Sequence, residues 1–184
     1  KKMLIGIVSR LTDQKGFDLI DRVMDELCQD DVQIVVLGTG DERYENMFRH
    51  YAWKYEDKLS ANICYSEELA HQIYAGCDAF LMPSLFEPCG LSQLISMHYG
   101  TVPIVRETGG LKDTVQAYNR YDQTGTGFSF CNFHAREMLS ALYYAMDIYY
   151  NHRQDWDEIA QRGMEQDVSW SHSAIEYEKI YDML

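Results

Sequence analysis

The sequence has 184 residues and a mass of about 21.5 kDa, enough for one sizeable hydrophobic core and therefore for a single domain. Apolar residues make up 46% and charged residues 24%, which argues for a globular protein and against a disordered one. The 16 lysines and arginines face 29 aspartates and glutamates. The resulting net charge of −13 argues against general nucleic-acid binding and against binding to an anionic membrane surface.

The sequence favours neither a membrane segment nor a zinc or disulfide site. No run approaches the roughly 20 apolar residues that cross a bilayer. The five cysteines are odd in number and show no CxxC spacing, so we expect reduced thiols in a cytosolic protein. The chain opens directly on a strand pattern, and we therefore expect it to be a piece of a longer protein.

Apolar runs and helical spacings alternate along the chain. Buried strands are predicted at Met3–Ser9, Gln33–Leu37, Ala61–Tyr65, Ala79–Met82, Val102–Val105 and Gly127–Phe130. Helices are predicted at Gly16–Cys28, Glu42–Tyr55, Glu67–Gly76, Gly90–Tyr99, Ala135–Tyr150, Gln154–Met164 and Ser173–Leu184. Apolar strands without polar alternation are typical of parallel sheets covered on both faces. We therefore predict an α/β fold with a doubly wound, mostly parallel, six-stranded sheet and helices on both faces.

Ligands of doubly wound sheets bind beyond the carboxyl ends of the strands, so the segments that follow the strands hold the candidate site. The first segment carries Arg10 and Lys15 just before a helix begins. A guanidinium fork, an ammonium and the free N–H groups of a helix start are suited to holding phosphate. The alternative is that both are solvated surface cations.

The second segment, Gly38-Thr39-Gly40, begins like a dinucleotide-binding fingerprint. Arg43 stands where that fingerprint needs its third glycine, so the sequence gives little support for NAD binding. The two glycines predict a tight turn, which either lets a ligand approach the backbone or is only a turn.

Two later segments offer a carboxylate and a glycine pair. Glu87 precedes a helix that opens at Gly90, and it could accept hydrogen bonds from vicinal sugar hydroxyls or act as an N-cap carboxylate. Thr108-Gly109-Gly110 predicts either a backbone nest for an anion or a flexible turn. All four segments should lie on one rim of the sheet.

These motifs resemble a known family. The matching segments are Ser9–Gly16, Pro83–Leu94, Tyr99–Arg106 and Thr108–Val115, and the runs Phe86–Leu91 and Thr108–Val115 are highly specific. Over essentially the whole chain the sequence is similar to the C-terminal half of bacterial glycogen synthases and plant starch synthases. The resemblance implies one Rossmann-like half of a GT-B fold. It also implies a retaining glucosyltransferase that extends an α-1,4-glucan from ADP-glucose.

The resemblance further implies roles for individual residues. Arg10 and Lys15 would hold the diphosphate of ADP-glucose and stabilise the departing ADP, and Glu87 would bind hydroxyls of the donor glucose. The remaining contacts would come from Gly38 beneath the nucleoside, from Tyr65 stacked on adenine, and from the backbone of Cys89, Gly90, Leu91, Thr108, Gly109 and Gly110. Fixed cations beside the leaving phosphate favour the transition state, so no metal or other cofactor is expected.

Two details refine the family resemblance. Many related GT-B transferases carry a second glutamate eight positions after the first, where this chain has Ile95, and glycogen and starch synthases generally lack it too. The one Asp-x-Asp sequence, Asp155-Trp156-Asp157, lies in a polar helical stretch, and we interpret it as a solvated helix face.

The family's N-terminal domain, with its Lys-x-Gly-Gly loop and acceptor surface, is not found in this sequence. We therefore expect a single donor-binding domain over residues 1–184 that is inactive alone, with C-terminal helices at about 153–184 that dock on that missing domain. The expected partners are ADP-glucose and an α-glucan. The expected location is the bacterial cytoplasm, or the plastid if the source is a plant.

Two alternatives remain at the sequence level. The chain could be half of another GT-B enzyme, such as a sucrose synthase or a nucleotide-sugar epimerase, although the Glu87–Leu91 run and Ile95 argue against it. It could also be a stand-alone module that binds ADP or a nucleotide sugar without catalysis. The preference for ADP over UDP rests on the resemblance alone.

Overall fold

The computed structural model of the chain describes residues 1–183, except for the side chain of Glu176. Its strands are β1 (Met3–Val8), β2 (Val32–Leu37), β3 (Leu59–Asn62), β4 (Ala79–Met82), β5 (Val102–Arg106) and β6 (Phe128–Phe130). They form one sheet in the order β3-β2-β1-β4-β5-β6, and every neighbouring pair is parallel. The predicted doubly wound α/β architecture is confirmed.

Nine α-helices connect and flank these strands within the described part of the chain. They are α1 (Phe17–Asp21), α2 (Met24–Leu27), α3 (Glu42–Lys54), α4 (Glu67–Gly76), α5 (Ser92–His98), α6 (Gly109–Thr114), α7 (Ala135–Asn151), α8 (Arg153–Met164) and α9 (Trp170–Tyr181). None of the helices in residues 1–183 has both the length and the apolar content needed to cross a membrane.

Some element boundaries differ from the prediction. The predicted strand Ala61–Tyr65 is wrong by two to three residues, because β3 begins where Leu59 pairs with Ile34 and ends at Asn62. Tyr65 therefore lies in the loop beyond the strand. The predicted helix Gly16–Cys28 is two short helices, because the backbone leaves helical geometry at Val23, where φ is −125° and ψ is 0°.

The sheet is covered on both faces. Met3, Ile5 and Ile7 of β1 belong to the large core under α1–α3, α7 and α8, whereas Leu4 and Val8 pack against a smaller cluster that includes residues of α4. A third cluster joins α5 and α6 to β5. The strand order reverses between β1 and β4, and a crevice opens there beyond the carboxyl ends of the strands.

The last two helices differ in how they pack. Helix α8 buries Trp156 and Ile159 in the main core, so it belongs to this domain. Helix α9 leaves Trp170, Ile175 and Ile180 exposed. The predicted docking of residues 153–184 on another domain remains a prediction, and Leu184, the last residue of the predicted helix, lies outside the described residues.

Candidate functional site

A cavity of about 320 Å³ lies at the switch point between β1 and β4. Its walls combine the loop after β1 with the loop after β4, which brings together residues that are more than 70 positions apart. We call this the charged cavity, and the residues that line it include Arg10, Lys15, Ser84, Glu87, Gly90 and Leu91. The predicted convergence of the post-β1 and post-β4 segments therefore holds in the folded chain.

The charged cavity contains one paired cation and one unpaired cation. The ammonium of Lys15 donates to Glu87 Oε2 at 2.5 Å, and the side chains are only 16% and 10% exposed. The hydroxyl of the buried Ser84 donates to the same carboxylate oxygen at 3.3 Å. Arg10 is exposed and makes no side-chain hydrogen bond or ion pair within residues 1–183. The cavity thus combines an internally satisfied pair with a free guanidinium.

The geometry bears on two of the alternatives that the sequence left open. Lys15 is mostly buried against Glu87, so it is not a solvated surface cation, whereas Arg10 is exposed. Glu87 does not cap α5, because the N-cap position is Leu91 and no side chain caps that helix. The carboxylate of Glu87 instead faces Lys15 and Ser84.

A second cavity, of about 360 Å³, adjoins the first one on the side of β2 and β3. This aromatic cavity is lined by Gly38, Cys64, Tyr65, His71 and Tyr74, among others, and it shares the wall residues Arg10 and Ser92 with the charged cavity. Tyr65 is 88% exposed. The two cavities therefore form one groove along the carboxyl edge of the sheet, with Arg10 at their junction.

His71 lies between two helices at the edge of the aromatic cavity. Its Nδ1 lies 3.0 Å from the hydroxyl of Tyr99 and its ring meets the rings of Tyr74 and Tyr99 edge-on, which links α4 to the end of α5. The same ring is exposed and lines the aromatic cavity. His71 thus makes a contact between two helices and also forms part of the cavity wall.

The glycines of the post-strand loops are needed where one loop touches another. A Cβ on Gly38 would overlap the carbonyl oxygen of Ser9, so glycine lets the loop after β2 cross the loop after β1. A Cβ on Gly110 would likewise overlap the carbonyl oxygen of Cys89. Close packing between loops, and not only access for a ligand, explains why small residues occupy these positions.

The predicted anion nest is only partly free. The amide of Gly110 donates to the carbonyl oxygens of Glu87 at 3.2 Å and Pro88 at 3.1 Å. Within residues 1–183, the amides of Thr108 and Gly109 are left without a backbone acceptor. Gly90 and Leu91, just before α5, line the charged cavity, whereas Cys89, Thr108, Gly109 and Gly110 are not among the residues that line it.

Sequence reasoning missed the groups that support Glu87. Ser84 is buried and donates to the carboxylate, and Arg106 donates to backbone oxygens of the same turn. The only signal available was their place just after the predicted strands Ala79–Met82 and Val102–Val105.

The Asp-x-Asp sequence does not form a cation site in this geometry. Asp155 accepts a hydrogen bond from Tyr118, Asp157 pairs with Arg153, and Trp156 between them is buried. In the part of the chain that the structure describes, no group of three or more His, Cys, Asp or Glu side chains is placed to hold a metal.

Comparison with known sequences identifies a family and several relatives of this chain. Residues 1–163 match the family described as "Glycosyl transferases group 1". The chain is 68% identical over 183 residues to a glycogen synthase of Lachnospira eligens and 60% identical over 184 residues to one of Lachnoclostridium phytofermentans. Each match covers 100% of this chain and 38% of the relative, so the chain spans about 38% of the length of these curated relatives.

Two solved structures share the fold. The catalytic domain of starch synthase IV from Arabidopsis thaliana, bound to ADP and acarbose, matches with a TM-score of 0.87 and 34% identity, over 99% of this chain and 38% of that one. A sucrose-phosphate synthase from Thermosynechococcus elongatus matches with a TM-score of 0.73 and 18% identity, over 100% of this chain and 45% of that one. At 18% identity, the second likeness is evidence of the fold alone.

Proposed function

The chain belongs to the group 1 glycosyl transferases and has the fold of one half of a GT-B enzyme, and from this premise we propose that it is the donor-binding half of an ADP-glucose-dependent glucan synthase. The observation that carries the proposal is the meeting of Arg10, Lys15 and Glu87 at the switch point of the sheet. These are the groups that a sugar diphosphate requires, namely cations for the phosphates and a carboxylate for the hydroxyls.

The charges of the cavity suit a glucosyl transfer. As the bond from the anomeric carbon to the phosphate oxygen breaks, negative charge grows on the departing ADP, and fixed cations beside it lower the barrier. Arg10 is free to bind the diphosphate without first releasing a partner. Lys15 has three N–H donors, so its ammonium can keep Glu87 and still donate to a phosphate oxygen. This chemistry assigns no step to a metal or to any further cofactor.

The aromatic cavity suits the nucleoside. Tyr65 offers an exposed ring on which a base can stack, and Gly38 lines the same cavity. The 34%-identical starch synthase IV is described with ADP bound, which supports adenine in this cavity over uracil. The bacterial sources of these two glycogen synthases support the cytoplasm of a bacterium as the place of action.

The acceptor side of the reaction is assigned to another part of the polypeptide. The chain spans about 38% of its relatives' length, and the groove lies open along one edge of the sheet. Holding the acceptor hydroxyl against the anomeric carbon and excluding water contribute about 7–11 kcal/mol through orientation. The chain alone is therefore expected to bind nucleotide without transferring glucose.

A two-stage experiment tests the proposal. First, the 184-residue chain is titrated calorimetrically with ADP, UDP and ADP-glucose, and we expect binding of the adenine nucleotides in preference to UDP. Second, incorporation of labelled glucose from ADP-glucose into glycogen is measured with the chain alone and with the full-length protein, and only the latter should be active.

The outcomes separate the alternatives. Absence of ADP binding by the folded chain overturns the proposal. Binding of ADP-glucose with no transfer by the full-length protein points to a stand-alone nucleotide-sugar module. A preference for UDP points to a different GT-B enzyme, such as a sucrose synthase or a nucleotide-sugar epimerase. Full turnover by the 184-residue chain places the catalytic groups elsewhere in this sequence.

A further inference from the structure

Residues Pro83–Glu87, which we call the Glu87 turn, are held from two opposite sides. From the loop after β1, the carbonyl of Gln14 accepts from the Leu85 amide at 2.9 Å, and the Gln14 side chain donates to the Phe86 carbonyl at 2.9 Å. From the end of β5, Arg106 reaches the same turn. The Glu87 turn is therefore fixed through its main chain, and the Glu87 carboxylate is in addition bonded to Lys15.

Arg106 directs its guanidinium at backbone oxygens. Its NH1 group donates to the carbonyl of Leu85 at 2.8 Å and to that of Ser84 at 3.3 Å. Its guanidinium carbon lies over the Phe133 ring, 5.7 Å from the ring centre, in a cation–π contact. Within residues 1–183 no carboxylate pairs with Arg106, and its Nε is buried without a hydrogen-bond partner. The Glu87 turn is thus the principal polar partner of this cation.

We propose that Arg106 is a positioning residue for Glu87. By fixing the carbonyls of Ser84 and Leu85, it sets the path of the turn and places the Glu87 carboxylate where it accepts hydroxyls of the donor sugar. This inference rests on the proposed function, because it takes the ligand of Glu87 to be the glucosyl group. Displacement of a reacting group by about 1 Å can lower the rate by about a hundredfold, so a residue that only orients such a group can have a large effect.

Arg106 orients the Glu87 carboxylate more than it stabilises the fold. Gln14 keeps its two hydrogen bonds to the Glu87 turn when Arg106 is replaced, so the turn persists with a shifted carboxylate. A lysine at position 106 retains the charge but offers no planar fork to lie on Phe133 while reaching two carbonyls. Arg106→Lys should therefore restore only a small part of what Arg106→Met loses.

The first measurement compares two ligands. In the 184-residue chain, Arg106→Met should weaken ADP-glucose binding by about tenfold and leave ADP binding within about twofold, because a displaced Glu87 keeps its charge beside Lys15 and loses only its contact with the sugar hydroxyls. Arg120→Met is the matched control, since Arg120 also lies over an aromatic ring, 5.8 Å from the centre of Tyr144, but pairs with Asp147 outside the groove. It should change neither affinity.

The second measurement is a double-mutant cycle. If Arg106 acts through Glu87, then Arg106→Met should have no further effect on the ratio of ADP-glucose to ADP affinity in a Glu87→Ala background. Should Arg106→Met fail to fold in thermal unfolding assays, Gln14→Leu replaces it, because that change removes one exposed side-chain hydrogen bond to the same turn. It should lower the same ratio in the same direction.

The outcomes are decisive. Equal weakening of ADP and ADP-glucose, or an unchanged ratio, overturns the positioning role, as does an additive loss in the Glu87→Ala background. Absence of ADP binding by the unmodified chain is a different result, because it overturns the proposed function itself.

Discussion

The charged cavity and the aromatic cavity differ in what they hold before any ligand arrives. In the charged cavity, Lys15, Glu87 and Ser84 are already bonded to one another and mostly buried. In the aromatic cavity, Tyr65 is exposed and makes no hydrogen bond among residues 1–183. A ligand that bonds to Lys15 or Glu87 gains only the difference in free energy between its new hydrogen bonds and those that already exist. A base that stacks on Tyr65 gains the full free energy of the contact but must order a free side chain, which costs conformational entropy.

The largest expected effect concerns Lys15. Lys15→Ala should weaken ADP by about ten- to a hundredfold, because a charge-assisted hydrogen bond contributes roughly 1.5–3 kcal/mol. Added salt should weaken ADP binding to the unmodified chain, and less so in the variant. Titration calorimetry measures both. Lys54→Ala removes a comparable lysine paired with Asp25 on the surface, and it should leave ADP affinity unchanged. An unaltered affinity in folded Lys15→Ala would contradict the assignment.

Glu87→Gln should separate the two ligands in opposite directions. Removing the negative charge beside the diphosphate releases Lys15 and should tighten ADP by about fivefold, a gain of about 1 kcal/mol. ADP-glucose should lose its advantage over ADP, because the carboxylate that accepts its hydroxyls is gone. Competition titrations of both ligands provide the test, with Asp25→Asn as the control at the Lys54 pair. Weaker ADP binding in Glu87→Gln would show that the carboxylate helps to hold the phosphates.

A smaller effect is expected at Tyr65. Tyr65→Ala should weaken ADP by about 1 kcal/mol, or about fivefold, which is the contribution of one aromatic contact. Tyr65→Phe should retain most of the affinity, because the ring and not the hydroxyl makes the contact. Tyr121→Ala is a control at an equally exposed tyrosine outside both cavities. Equal losses for the two Tyr65 variants would assign the contact to the hydroxyl and reject stacking.

The smallest effect is a change in the labelling rate of one thiol. Cys64 lines the aromatic cavity and is exposed, so half-saturation with ADP should slow its alkylation by about twofold. Cys131 is a second exposed thiol, outside the cavity, where a hydrogen bond to Glu107 raises its pKa, and its slower labelling should not respond to ADP. Mass spectrometry assigns the labelled cysteines. An ADP effect on Cys131 with none on Cys64 would move the nucleoside elsewhere.

Two buried thiols give internal references for that measurement. Burial raises the pKa of Cys77 to about 12 and that of Cys28 to about 11. Because the thiolate is the reactive form, both should label slowly at neutral pH and accelerate as the pH rises toward those values. Rapid labelling of either one at neutral pH would indicate local opening of the core.

The sheet could be predicted from the sequence, because its strands are buried on both faces and read as continuous apolar runs. The strand ends were predictable where a glycine or proline follows at once, as at Leu37 and Met82. The end of β3 was not, because Asn62, Ile63 and Tyr65 continue the strand-like pattern into the loop, and only the pairing with β2 sets the boundary.

The loops that form the site could be predicted from the sequence, but the contacts between their side chains could not. Parallel topology requires the segments of Arg10 and Glu87 to meet, which the sequence alone implied. The pairing of Lys15 with Glu87 depends on side-chain placement across 72 positions, and no periodicity encodes it. Burial of Trp156 within a polar helical stretch was likewise hidden, because a single aromatic residue does not reveal which helix face is inward.

Because Gly110 contacts the main chain at Cys89, the effects of substitutions in the loop after β4 and in the loop after β5 are expected to depend on one another. Their backbones touch and share a hydrogen bond, so a change in the course of one loop is transmitted directly to the other. Directed evolution toward a different sugar donor should therefore proceed through paired, epistatic substitutions in the two loops. Loop grafts from a distant transferase should succeed when both loops are exchanged together and fail when either is exchanged alone.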